Sequence, residues 1–140
     1  MTREFRILEH TADVGVEATG DSLEQMMSAL AEGLAHLVCP ADQVTPRQQV
    51  TVPAVQAEDL EAVAVDLLSA ILAQLQGKRF VTASIEVREA GPLRMQATLS
   101  GETYDPARHE LGQEIKAVTY HQVRVARQGD VWYGRVFVDI

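Results

Sequence analysis

The residues whose types could do chemistry stand at the two ends of the chain, and they are carboxylates. Asp13 closes the polar stretch HTAD and opens an alternating apolar run of Val14, Val16 and Ala18. Side chains alternate along a strand, so Asp13 shares a face with Gly15 and Glu17 and points away from the core that the valines fill. At the far end Asp139 is the penultimate residue, and Ile140 adds an α-carboxylate beside it. If the last strand pairs beside the first two, Asp13, Asp139 and the carboxylate of Ile140 gather three hard oxygen donors. Such a set suits Ca²⁺, Mg²⁺ or Mn²⁺ rather than zinc. Left without a cation, the same charges repel one another. Spacing alone favours a plainer reading, in which Asp13 caps a turn and Asp139 is a solvated strand end.

Other candidates carry less. A strand-end histidine such as His10 is more often a hydrogen-bonded structural residue than a ligand. Lys116 and His121 are separated by an odd number of residues, which puts them on opposite faces of one strand unless a bulge intervenes. The loop with Asp105, Arg108, His109 and Glu110 reads most simply as a solvated connection, with partner contact as the alternative. A zinc site built from His10, His36, His109, His121 and Cys39 has no recognisable ligand spacing. The sequence holds no phosphate-binding G-x-x-x-x-G-K-[ST], no G-x-G-x-x-G, no G-x-S-x-G and no C-x-x-C, so an independent nucleotide-consuming enzyme is not supported.

Composition narrows the classes further. A chain of 140 residues with 46% hydrophobic content fits one domain with a real core. Twenty acidic against twelve basic residues, a net charge of −8, disfavour an undivided nucleic-acid surface. The lone Cys39 cannot form an internal disulfide and suits a reducing compartment. No signal-peptide pattern opens the chain, and no stretch reaches the roughly 20 apolar residues of a membrane span. These features together predict a cytoplasmic protein with no membrane association.

The elements that must position the carboxylates follow from periodicity. Residues 5–9 and 14–19 predict two short strands. Asp21 or Ser22 predicts a helix N-cap, because Glu24 and Gln25 stand three residues on. Leu23, Met26, Met27, Leu30, Leu34, Leu37 and Val38 mark the face of that helix, which Pro40 ends. QVTPRQQVTV reads as an irregular or edge strand interrupted by Pro46. Leu60, Val63, Ala64, Leu67, Leu68, Ile71, Leu72 and Leu75 then define a second helix, with Glu58, Asp59 and Glu61 favouring its N-terminal dipole. Val81–Val87 and Leu93–Leu99 alternate about a turn at Gly91-Pro92 and predict a hairpin. After a polar loop, KAVTYHQVRVA and VWYGRVFVDI predict two more strands joined by RQGD. The expected class is α+β, two helices packed on a largely antiparallel sheet.

Three segments, EHTADVGVEATG, EIKAVTYHQV and WYGRVFVDI, occur in this order and resemble the archease family. The likeness also takes in GETYDPARHELG and EDLEAVAVDLLSAILAQL, so it covers most of the chain. It implies a strand-helix-strand-strand module built into the two-helix domain. It further implies an accessory protein rather than an enzyme, with no catalytic residue of its own. Such a protein activates a GTP-dependent RNA ligase of the RtcB type by promoting guanylylation of the ligase's catalytic histidine, and so serves tRNA splicing and RNA repair. RNA and GTP would be met only through the ligase. The family's metal site maps onto Asp13, Asp139 and the terminal carboxylate of Ile140, with Lys116 and His10 as candidate contacts to the partner or its nucleotide. Family members often carry an aromatic in each helix, where this chain has Met26 or Met27 and Ile71, a departure that touches packing rather than the site. A second reading is a chaperone-like module for RNA-processing enzymes such as tRNA methyltransferases, with a structural metal. A third, an independent metal-dependent hydrolase, lacks a general base or nucleophile at recognisable spacing.

Overall fold

In a computed structural model of the protein, residues 3–9 and 13–140 are described. The expected α+β class, two helices packed on antiparallel strands, is what the chain adopts, with the strands divided between two sheets rather than joined in one. Strands β1 (Arg3–Glu9), β2 (Asp13–Gly20), β6 (Ala117–Gln128) and β7 (Val131–Asp139) make a four-stranded sheet in the order β1-β2-β7-β6. Strands β3 (Gln48–Gln56), β4 (Phe80–Gly91) and β5 (Arg94–Thr103) make a three-stranded sheet in the order β3-β5-β4. Every pairing is antiparallel. Helix α1 (Leu23–Val38) follows β2, and helix α2 (Leu60–Leu72) follows β3. The run β3-α2-β4-β5 is the expected strand-helix-strand-strand module, set between α1 and β6.

Both helix starts obey local chemistry. Ser22 caps α1 by accepting from the Gln25 amide at 3.1 Å, and Asp59 caps α2 by accepting from Ala62 at 2.8 Å. These side chains satisfy amides that have no partner inside the helix. The eight-residue apolar stripe expected of the second helix outlasts its α-helical part, because Ala73–Gly77 relaxes into a π-helical turn. Leu75 stays buried there, so the stripe is continuous although the winding changes. The helical stretch Leu60–Gly77 is long and apolar enough by composition to cross a membrane. Its apolar face is taken up by the core instead, since Val63, Ala64, Leu67, Leu68 and Ile71 are completely buried.

Strand β3 begins after Pro46 rather than running through it. It carries Pro53 where its register against β5 shifts between Val52 and Val55. An edge strand tolerates this, because the missing amide would face outward. Gly33 lets α1 approach the first two strands: a Cβ there would lie 2.4 Å from Val16 Cγ1 and 3.0 Å from the Phe5 ring.

The two helices also seal sheet edges. Along one side of α1, Glu24 Oε2, Ser28 Oγ and Glu32 Oε2 accept the outward-facing amides of Glu89, Val87 and Ile85 at 2.7, 2.9 and 3.2 Å. Four helical residues rise about 6 Å and two strand residues about 6.6 Å, so an i, i+4, i+8 row of acceptors matches alternate amides of β4. Helix α2 serves β6 likewise: Glu61 Oε2 accepts from Val125 N at 3.1 Å, and Asp66 Oδ1 accepts from the Tyr120 hydroxyl at 2.7 Å. The β4 edge is thereby closed to pairing with other chains, and the β6 edge is engaged at Val125.

Candidate functional site

Strand β7 lies between β2 and β6, and its register decides which residues meet. Asp13 is the direct cross-strand partner of Asp139, and Ala117 faces Asp139 from the other side. Val14 pairs with Val138 and Val16 with Val136, and all four valines are buried. Their alternation turns both aspartates to the outer face of the four-stranded sheet, at the end of its two central strands. Asp139 is exposed and Asp13 half-buried. Direct partners on one face of an antiparallel pair have Cβ atoms about 4.5–5.5 Å apart. Two carboxylates at that separation bridge one hard cation readily and oppose each other without it. Ile140 turns its side chain toward the core, where it packs against buried apolar residues.

Among the described residues, no group of three or more His, Cys, Asp or Glu side chains gathers to hold a metal ion. The donor set that the register brings together here is the two aspartates. Its chemistry fits Ca²⁺, Mg²⁺ or Mn²⁺ and excludes a histidine–thiolate zinc centre. His10 lies outside the described residues.

Lys116 adjoins this end. Its backbone amide donates to the Asp139 carbonyl at 2.8 Å. The exposed Lys116 precedes the first residue of β6, Ala117, which is the residue opposite Asp139. There it lines a groove of about 340 Å³ with Ser69, Leu72, Ala73 and Gln76. Gln76 fixes the approach to β6 by donating to the Ile115 carbonyl and accepting from the Ile115 amide, both at 2.8 Å. The lysine and the carboxylate pair thus share one end of the sheet.

The bulge that would relate Lys116 to His121 is present. Register against β7 shifts between Thr119 and Arg124, with Gln122 at φ +55° inside the shift. Tyr120, His121 and Gln122 are exposed there, and His121 contacts the Gln122 amide group at 3.1 Å. Among the described residues its hydrogen bonds go to Thr119 and Gln122 rather than to either aspartate.

The polar loop after β5 is not the solvated connection expected from its composition. It is anchored on Glu102, whose side chain is 4% exposed, and the ring of His109 is fully buried beside it. Glu102 accepts from Arg108 at 2.6 and 3.1 Å, from the Thr45 amide at 2.8 Å, from Arg47 Nε at 3.1 Å and from His109 Nε2 at 2.9 Å. The His109 Nδ1 atom accepts from the Asp105 amide at 2.9 Å, so the ring proton sits on Nε2 and donates to Glu102. The Arg108 bonds, followed by the Thr45 amide, hold the Glu102 carboxyl well below the usual carboxylate range. Sequence reading missed this hub because Glu102 looks like one more charge in a polar loop. The nearby Arg108 and His109 were a signal, but their common target was not.

On the outer face next to the aspartates, Glu17 takes hydrogen bonds from Arg6, at Nε 2.7 Å and also at Nη2, and from the Tyr133 hydroxyl at 2.8 Å. Partial burial works against the Glu17 charge, but the Tyr133 and Arg6 bonds outweigh it and lower its pKa.

Comparison with known proteins follows the same architecture. The family model described as "Archease protein family (MTH1598/TM1083)" matches residues 5–140. The archease of Thermococcus gammatolerans is 37% identical over 132 residues, covering 91% of this chain and 92% of that protein. The archease of Pyrococcus furiosus is 29% identical over 142 residues and covers 99% of each. Among solved structures, protein 1598 of Methanobacterium thermoautotrophicum superposes with a TM-score of 0.72 at 24% identity, covering 99% of this chain and 98% of that one. A Thermotoga maritima protein described as "an archease, possible chaperone" gives a TM-score of 0.61 at 24% identity, covering 95% and 94%. Those two likenesses concern the fold; the match of the family model over nearly the whole length, together with the 37% identical relative, shows that the chain belongs to the archease family.

Proposed function

We propose that this protein is an accessory activator of a GTP-dependent RNA ligase of the RtcB type, acting through a divalent cation held by Asp13, Asp139 and the terminal carboxylate of Ile140. The observation that carries the reading is the direct pairing of Asp13 with Asp139 at the exposed end of the four-stranded sheet. Two like charges in direct opposition cost stability, and a partner-facing cation site gives them a use. The chain brings no nucleotide-binding motif of its own, which suits a protein whose partner carries the GTP and the catalytic histidine.

The cation, when bound, offsets negative charge on phosphate oxygens. The rest falls to this chain's residues. Val14, Val16, Val136 and Val138 anchor both aspartate-bearing strands in the core, so the carboxylates are presented without loop motion. Lys116, at the same end of the sheet, supplies a cation of the protein's own toward the ligase or its nucleotide, and His10 stands in the segment that leads to Asp13.

The test is multiple-turnover ligation by an RtcB-type ligase with added wild-type protein or Asp13→Ala. Loss of stimulation with unchanged folding is the expected result, and undiminished turnover overturns the proposal. A tag joined after Ile140 converts the terminal carboxylate to an amide and is expected to weaken stimulation. The competing reading, a chaperone-like module with a structural metal, predicts instead that Asp13→Ala loses partner activity only in proportion to the folded protein it loses.

A further inference from the structure

Two rows along the outer face from the aspartate pair, Arg135 of β7 stands between Glu17 of β2 and Arg124 of β6, as direct partner to each. The row across the sheet therefore reads Arg6, Glu17, Arg135, Arg124. Its one carboxylate takes hydrogen bonds from Arg6 and Tyr133 and also faces Arg135 electrostatically, leaving three guanidinium groups to one carboxylate in the row. Arg135 donates from Nε to the Gln122 carbonyl at 3.1 Å, and its guanidinium carbon lies 5.9 Å from the Phe137 ring centre. Arg124 is exposed, and its side chain makes no hydrogen bond or ion pair with any described residue.

Like charges in direct opposition are destabilising, and a chain with net charge −8 has acidic residues to spare for neutralising them. None is placed against Arg124. The bulge that precedes Arg124 creates the pairing: without the register shift between Thr119 and Arg124, another residue of β6 would face Arg135. The same bulge supplies the Gln122 carbonyl that fixes Arg135. One arginine is thus pre-oriented and the other free to close, on an open sheet face with Phe137 and Thr119 between them and the aspartates.

We propose that Arg124 and Arg135 form an anion site for a phosphate group, of a nucleotide or of an RNA backbone. The terminal phosphate of a nucleotide carries close to two negative charges and three acceptor oxygens, and a backbone phosphodiester one charge and two free oxygens, and either presents a guanidinium fork with paired acceptors. The site goes beyond the cation reading and needs no metal.

The test uses the full-length protein in chelator at low salt, with inorganic phosphate, GTP, a short oligouridylate and a glutamate peptide as separate probes. Arginine Nε–Hε and backbone amide NMR signals report the location. The expected result is shifts confined to Arg124, Arg135 and their neighbours, and about tenfold weaker binding in Arg124→Ala, the loss of roughly one charge-assisted contact. Arg124→Glu is expected to abolish binding and Arg124→Lys to retain part of it. Tighter binding of GTP assigns the phosphate to a nucleotide, and tighter binding of the oligonucleotide assigns it to RNA. Shifts spread over all basic residues, equal affinity in Arg124→Ala, or a glutamate peptide binding as tightly as the phosphate probes overturns the proposal. Because no ligase and no divalent cation are present, failure here is separate from failure of the activator reading.

Discussion

Asp13 and Asp139 face each other directly across β2 and β7, 126 positions apart in sequence, on the solvent side of a strand pair whose other side is buried valine. Direct opposition of like charges costs about 0.2–1 kcal/mol in a sheet. In chelator and low salt, Asp13→Asn is therefore expected to unfold at a slightly higher temperature than the wild type. Added Ca²⁺ is expected to raise the wild-type midpoint and leave the variant unmoved. Calorimetry with and without the cation measures both, and a wild type indifferent to Ca²⁺, Mg²⁺ and Mn²⁺ contradicts a cation at this pair.

Ser28 Oγ is the acceptor for the buried Val87 amide and donates to the Glu24 carbonyl at 2.8 Å. Ser28→Ala leaves that amide without a partner, at a cost of about 1–3 kcal/mol. Urea unfolding is expected to show a lower midpoint with unchanged slope. A neutral substitution would mean that the α1–β4 edge seal contributes nothing to stability.

Gly33 allows the α1 backbone to lie against Val16 and Phe5. Gly33→Ala gains helix propensity but places a Cβ 2.4 Å from Val16 Cγ1. The crowding is expected to outweigh the gain and destabilise by about 1–3 kcal/mol. Val16 pairs with Val136 in the strands that carry both aspartates, so divalent-cation affinity is expected to fall along with the unfolding midpoint. A variant more stable than the wild type would show that α1 shifts outward freely.

Glu102 gives the molecule an acid-sensitive joint. Its folded pKa is depressed, chiefly by Arg108 and then by the Thr45 amide, so its ionised form stabilises the fold. That contribution is fully present above the unfolded carboxyl value of about 4.3 and is lost as pH falls below it. Glu102→Gln is expected to destabilise the protein at neutral pH and to show a shallower decline in stability on acidification below that value. Unfolding at a series of pH values measures the difference, and parallel curves for the two proteins would remove Glu102 as the source.

Much of the arrangement is legible in the sequence, because its causes are local. Alternation of Val14, Val16 and Ala18 turns Asp13 outward, Ser22 and Asp59 mark helix starts, and the stripe from Leu60 to Leu75 marks a core helix. Each is a statement about neighbours a few residues apart, which strand and helix periodicity fix directly. The resemblance to archeases adds the candidate ligands. The row Glu24, Ser28, Glu32 was also there to be read as one helix side, but its target on β4 was not.

What tertiary structure alone decides is which distant residues meet. Nothing in either end of the chain says that β7 enters between β2 and β6, and that pairing is what opposes Asp13 to Asp139. The strands divide into two sheets, with α1 along the β4 edge of one and α2 beside the β6 edge of the other, an arrangement of packing that strand propensity does not specify. The bulge in β6 changes which side chain faces Arg135, and the fold of the loop after β5 turns Glu102 from a surface charge into a buried hub. Periodicity assigns a side chain to a face, while register across a sheet is set by the whole core, so the sequence determines the direction of each carboxylate and only the folded chain determines its partner.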